Sequence, residues 1–146
     1  MSENRTDTSA RAAADPRPSV VDEAGGTRIA GGRCTSCGHP MLVAPPRCPV
    51  CGQGPFEREE FGPDGTVFSS TILYIPVPGR EPPYGLAYID LDDGPRLLAH
   101  LDDSVTTALA PGTRVRLTGM TPHGDPLAAP LAGTTKHDDA EEATDG

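Results

Sequence analysis

The sequence predicts a mainly β protein: a rubredoxin-like zinc ribbon followed by a small OB-fold barrel, with disordered N- and C-terminal tails. Three observations carry that reading. All four cysteines fall in two Cys-x-x-Cys pairs, Cys34/Cys37 and Cys48/Cys51. The 146 residues include 17 Gly and 17 Pro but only three Phe, three Tyr and no Trp, which favours loops and short strands over long helices. After residue 56 the apolar residues come in short β-branched runs bounded by turn signals. The implied division is a tail over 1–26, the ribbon over 27–56, the barrel over 57–135 and an acidic tail over 136–146.

Residues 1–26 are rich in Ala, Ser, Thr, Asp, Pro and Gly and have little to bury, the composition of a disordered segment. RAAAD at 11–15 allows one helical turn at most. The opening MSENRTDTSA has no apolar signal core. No apolar run reaches the roughly 18 residues of a membrane span. Four cysteines in metal-ligand spacing then fit a reducing cytoplasm.

The ribbon centres on residues 33–54, RCTSCGHPMLVAPPRCPVCGQG. A Cys-x-x-Cys turn folds back so that both sulfurs face one point and backbone amides aim at them. Gly38 and Gly52 follow the two pairs and permit the positive φ such a knuckle needs. Two facing knuckles offer four thiolates to one tetrahedral cation, so Cys34, Cys37, Cys48 and Cys51 are read as metal ligands. Two disulfides suit a small secreted protein, and a redox dithiol leaves the second pair without a role. Iron accepts the same four thiolates, and Cys48-Pro49-Val50-Cys51-Gly52 would suit a rubredoxin. The segment lacks the aromatic shell expected around such an iron site, which favours zinc. Between the knuckles, Met41 to Val43 can form a short strand that Pro45 and Pro46 end.

The barrel elements follow in order. TVFSSTILYI, 66–75, is β-rich and follows the turn Pro63-Asp64-Gly65. PVPGREPP, 76–83, is an extended loop. YGLAYIDL, 84–91, is a second strand, and Asp92-Asp93-Gly94 turns it into a third, which ends at Leu101. Residues 102–111 connect, with Ser104 placed to cap a short helical turn. TRVRLTG, 113–119, alternates Val115 and Leu117 with Arg114, Arg116 and Thr118, the pattern of a half-buried strand. A weak closing strand falls within 120–135. Five short strands in about 80 residues can close as an OB-fold, which hides most sheet edges.

The net charge of −9 is carried largely by the ends, and 11 of the 12 basic residues are arginine. A mildly acidic middle with few aromatics is a poor footprint for nucleic acid, which needs basic grooves and stacking rings. A nucleic-acid-binding ribbon plus OB-fold is the alternative reading.

Several short pieces, in order, resemble the zinc-ribbon/OB-fold acyl-CoA-associated family. They are Cys34-Thr35-Ser36-Cys37-Gly38, Pro45-Pro46-Arg47-Cys48-Pro49-Val50-Cys51-Gly52, Gly65-Thr66-Val67, Pro83-Tyr84-Gly85, Leu91-Asp92-Asp93-Gly94 and Pro111-Gly112-Thr113-Arg114-Val115. The resemblance spans about residues 33–119. It implies a non-catalytic subunit that docks on a thiolase-like condensing enzyme or a hotdog-fold enoyl-CoA hydratase and contributes to acyl-CoA binding. Relatives often carry an aromatic N-terminal helix before the ribbon. Here that stretch is VVDEAGGTRIAGG, with two Gly pairs and no aromatic.

The residues themselves show no catalytic constellation. His39, His100, His123 and His137 are scattered, and no spacing supports a Ser/His/Asp set. Arg47 is held stiffly between Pro46 and Cys48, as a cation beside four thiolates or as a contact to a partner or a CoA phosphate. Arg80 and Tyr84 bound a proline-stiffened loop that offers a contact surface. Arg114 and Arg116 share a solvated face.

Overall fold

The computed structural model describes residues 17–131. The RAAAD turn, His137 and the tail segments 1–16 and 132–146 lie outside the described residues. Within them the chain is built of nine strands and no helix.

The first sheet holds the cysteine loops. β1 (Ser19–Glu23) and β2 (Gly26–Cys34) form a hairpin that pairs Ser19 with Ala30 and Glu23 with Gly26. β3 (Pro40–Met41) continues along the same edge of β2, pairing with Arg33 and Gly32. β4 (Phe56–Phe61) runs antiparallel along the other edge, from Ile29 opposite Phe61 to Cys34 opposite Phe56. Gly31 is required here: a Cβ would sit 2.3 Å from the Met41 carbonyl oxygen. The chain thus leaves β2 at Cys34, makes both metal knuckles, and returns on β4 directly beside its starting point.

Two sequence expectations change. Residues 19–26 were placed in a disordered tail, yet Val20 and Val21 supply enough β-propensity for an edge strand once β2 offers a ladder. Residues 57–61 were placed in the barrel, yet they pair with β2. Their FEREEF pattern suits a half-exposed strand because only Phe61 is buried.

The second sheet closes on itself. β5 (Asp64–Leu73), β6 (Tyr84–Leu91), β7 (Arg96–Leu101), β8 (Arg114–Met120) and β9 (Pro126–Pro130) form a barrel in the order β5-β6-β7-β9-β8. Only the β7–β9 contact is parallel. That order is the five-stranded Greek-key barrel expected of an OB-fold, and closure leaves few open edges. The 102–111 connection has no helical turn. Ser104 therefore caps nothing; instead its amide donates to Asp102 Oδ1 at 2.9 Å and closes a side-chain turn.

Alternation places Ala87, Ile89 and Leu91 of β6, Leu97, Ala99 and Leu101 of β7, Val115 and Leu117 of β8, Val67 and Ala128 in one core. Ile29 and Phe61 of the first sheet belong to the same cluster. The ribbon therefore sits on the barrel through shared apolar packing rather than on a tether. Leu101 is wholly buried. Leu101→Ala is expected to lose about 2–5 kcal/mol of stability, read as a lower urea midpoint.

Outside the barrel, Arg114 and Arg116 are not simply solvated. Arg114 grips Asp92 at 2.6 Å, and Arg116 grips Asp64 at 2.6 Å. The Arg114 guanidinium holds the Asp92 carboxyl below its usual range. A depressed carboxylate pKa stabilises the fold above its unfolded value, near about 4, and that contribution is lost as pH falls through the folded value. Asp92→Asn should therefore lower Tm by a few degrees at most at pH 6, the pair being exposed. The gap from the wild type should close as pH falls below about 4 and through the depressed folded value of Asp92, which thermal melts across pH will show.

Candidate metal centre and the loop between β5 and β6

Each knuckle is a short backbone turn. The Gly38 amide donates to the Cys34 carbonyl and the Gly52 amide to the Cys48 carbonyl, both at 2.9 Å. Gly38 at φ 79° and Gly52 at φ 74° adopt the left-handed conformation that the sequence assigned to them. Cys34 and Cys48 are buried, Cys51 is half-buried and Cys37 is exposed. The four Sγ atoms lie within 4.8 Å of one another, with Cys34 and Cys51 3.7 Å apart and Cys37 and Cys48 3.6 Å apart. A tetrahedron with metal–sulfur bonds of about 2.3 Å has edges of about 3.8 Å, so these sulfurs already have the spacing of a four-thiolate metal site. They are too far apart for disulfides.

The thiols respond to one another. The Cys37 backbone amide, above all, pulls Cys34 down to about 6. The Cys51 amide, above all, likewise lowers the Cys48 thiol from its ordinary value. The His39 amide favours the Cys37 thiolate, but partial loss of solvent around its sulfur and the three neighbouring sulfurs override it and push that thiol up to about 12. Four sulfurs this close cannot all ionise without a cation between them, and all four become ligands once it is there.

Arg33 anchors the first knuckle, a role the sequence did not suggest. Its guanidinium donates to the Gly38 carbonyl at 2.9 Å, to Glu59 of β4 at 2.7 Å and to the Asp93 carbonyl of the barrel hairpin at 2.6 Å. One side chain thereby joins the metal loop, the first sheet and the barrel.

Arg47 is exposed and makes no hydrogen bond or ion pair among the described residues. Arg80 and Tyr84 lie together elsewhere, in the connection between β5 and β6. There the Arg80 amide bonds the Val77 carbonyl at 3.0 Å, and Gly79 turns at φ 84°. The Arg80 guanidinium lies 5.1 Å from the centre of the Tyr84 ring. By strand alternation Tyr84 points out of the barrel, yet it is only 6% exposed, because the loop covers it. His100 of β7 stands on the same face, its ring 6.1 Å from that of Tyr84. Burial, then Arg80, holds the His100 imidazole below its ordinary pKa.

The outward surface of the loop is made by other residues. Tyr74 is 71% exposed, Ile75 68% and Val77 42%. Sequence reading placed Tyr74 and Ile75 in a strand. The signal was available: three large apolar side chains, Tyr74, Ile75 and Val77, flank Pro76 just past a strand end, where a plain connection is polar. A second apolar patch, Phe68, Tyr88 and Leu98, lies on the outer barrel face.

Comparison with known proteins places this architecture. A family model for the C-terminal OB-fold domain of ChsH2 matches residues 58–119. The chain is 36% identical over 92 residues to a DUF35 domain-containing scaffold protein of Pyrococcus furiosus, covering 62% of this chain and 67% of that one. It is 32% identical over 88 residues to the benzoylsuccinyl-CoA thiolase subunit BbsA of Geobacter metallireducens, covering 60% of each. Among solved structures it resembles an Ltp2-ChsH2(DUF35) aldolase, with TM-score 0.61 and 27% identity over 70% of this chain and 84% of that one. The chain belongs to the DUF35 family, the OB-fold proteins associated with acyl-CoA enzymes.

Proposed function

We propose that this chain is a non-catalytic, zinc-binding accessory subunit that docks on an acyl-CoA-processing enzyme, a thiolase-like condensing enzyme or an enoyl-CoA hydratase. The observation that carries the reading is the apolar loop over 74–77 on a braced scaffold: large side chains held out to solvent by prolines and a closed barrel. Such a projection loses little entropy on docking. Relatives named as a scaffold protein and as a thiolase subunit support the kind of partner.

In this reading zinc fixes the ribbon, and the two knuckles present Arg47 to the partner as an unpaired cation. Tyr74, Ile75 and Val77 are the anchors, while Arg80 and Tyr84 brace their loop from within. The assembled complex binds acyl-CoA better than this chain does alone. Four thiols held for a metal work in a reducing compartment, and the cytoplasm is the proposed location. No helix among the described residues is long and apolar enough to cross a membrane.

The test is functional. An acyl-CoA enzyme encoded beside this chain is purified alone and then assayed with the chain added back. Turnover should rise to a plateau at a fixed molar ratio. Full activity of a soluble neighbour without the chain would contradict the proposal.

A further inference from the structure

We propose that the docking surface continues from Tyr74, Ile75 and Val77 into the cavity between the 74–83 loop and segment 101–106, and that the partner enzyme fills this cavity with a basic side chain. Its aliphatic stem lies on the apolar wall and its cation among Glu81, Asp102 and Asp103. This rests on the accessory-subunit reading and adds to it the chemistry of the partner's face. Continuity carries the first half. The exposed apolar residues and the cavity wall belong to one loop: Ile72 lines the cavity just before Tyr74, and Gly79 and Arg80 line it just after Val77. The Val77–Arg80 bridge ties the exposed residues to that wall. The cavity has a volume of about 420 Å³, and Ile72, Leu101 and Val105 supply its apolar part.

Charge carries the second half. Elsewhere on its outer surface this protein answers carboxylates with arginines: Asp64 with Arg116, Asp90 with Arg96, Asp92 with Arg114 and Glu59 with Arg33. At the cavity it does not. Glu81 and Asp103 are exposed and make no hydrogen bond or ion pair among the described residues. Ser104 holds the Asp102 carboxyl below its ordinary range, so Asp102 is charged at neutral pH as well. Arg80 is the one cation of the lining, and its guanidinium lies 5.1 Å from the centre of the Tyr84 ring with Nε and Nη2 shut off from solvent. Three carboxylates thus line a cavity whose own arginine is turned onto an aromatic ring.

The form of the cation follows from how these groups are spread. A bare metal ion does not fit, since among the described residues only the four cysteines bring three or more ligand atoms within 4.8 Å of one another. Carboxylates set around an apolar wall suit a long side chain with its charge at the tip, whose stem covers apolar surface while its head stays among the acids. An acidic side chain is repelled here. An apolar plug covers the carboxylates and leaves them without a partner.

The test uses the full, metal-loaded chain and the acyl-CoA enzyme encoded beside it. Affinity and association rate are measured by surface plasmon resonance at about 0.05 M and about 0.5 M salt, across which screening tightens severalfold. Glu81→Gln with Asp103→Asn should weaken the complex about tenfold at the lower salt, mostly through the association rate, and by about twofold or less at the higher. Glu81→Lys with Asp103→Lys should weaken it about a hundredfold. The control, Glu57→Gln with Glu60→Gln, removes the same charge from exposed positions on β4 and should leave affinity within about twofold. If the complex forms and the cavity variant binds like the β4 control, the proposal is overturned while the accessory-subunit reading stands. If the wild-type chain alone self-associates at low salt and the cavity variant does not, the basic side chain belongs to a second copy of this chain, which also overturns it. A wild-type chain that forms no complex at all is a different failure, that of the accessory-subunit reading, and this proposal falls with it.

Discussion

Protein purified without added metal should carry about one zinc per chain, and Cys48→Ser should lose the metal together with the folded ribbon. The effect is expected to be large because little else holds the knuckle loops. Between β2 and β4, residues 35–55 contribute only the two-residue β3 to a sheet. Of their side chains only Cys48, at 2% exposed, is buried, with Leu42 half-buried against the barrel core. Structural zinc sites in small domains contribute roughly 10–16 kcal/mol of apparent binding free energy, most of it expressed as folding. Losing one of four thiolates removes much of that. The barrel core is separate enough to survive, so near-native barrel signals with a collapsed 33–56 region are the expected outcome in NMR. Elemental analysis settles the metal: iron with a visible thiolate charge-transfer band would contradict zinc while leaving the four-sulfur site intact.

The second large effect concerns docking. Tyr74→Ala with Ile75→Asp should weaken the complex with the acyl-CoA enzyme by about a hundredfold or more, because truncating central aromatic and aliphatic anchors removes roughly 2 kcal/mol or more at each. The same variant should keep its Tm within a degree or two, since both side chains are mostly exposed in the chain alone, at 71% and 68%. A Phe68→Ala variant on the outer barrel face serves as the comparison. If it breaks the complex and the loop variant does not, the docking surface is the Phe68, Tyr88 and Leu98 patch.

What the sequence made legible was local. The knuckles were readable because ligand spacing, following glycine and turn geometry all lie within five residues. β8 was readable because Val115 and Leu117 alternate with charged neighbours along one strand facing one core. The first sheet was not, because β2 meets β4 only after the chain has made both knuckles, and neither GTRIAGGRC nor FEREEF alternates clearly. β9 was weak in sequence for a related reason. PLAAP has no β-branched residue and earns its place by pairing with both β7 and β8.

The candidate site divides the same way. The four cysteines were found by spacing, and the structure brings them together. Tyr84 was expected on a contact surface, but a residue's strand face does not reveal that a loop will fold over it. Arg47 remained where a proline-flanked position beside a knuckle puts it, in solvent. Arg33 was invisible as an anchor because its three partners, Gly38, Glu59 and Asp93, come from three separate stretches.

The accessory-subunit account is tested most directly by the mass of what this chain forms with its neighbour. The chain and the acyl-CoA enzyme encoded beside it are co-expressed, with the affinity tag on the enzyme alone. The eluate is then analysed by size exclusion with light scattering. The account predicts one species with both chains in a fixed ratio, stable through the column, and its loss in the Tyr74→Ala, Ile75→Asp variant. Two separate peaks, with this chain eluting as a folded, metal-loaded monomer at every concentration tried, would contradict it.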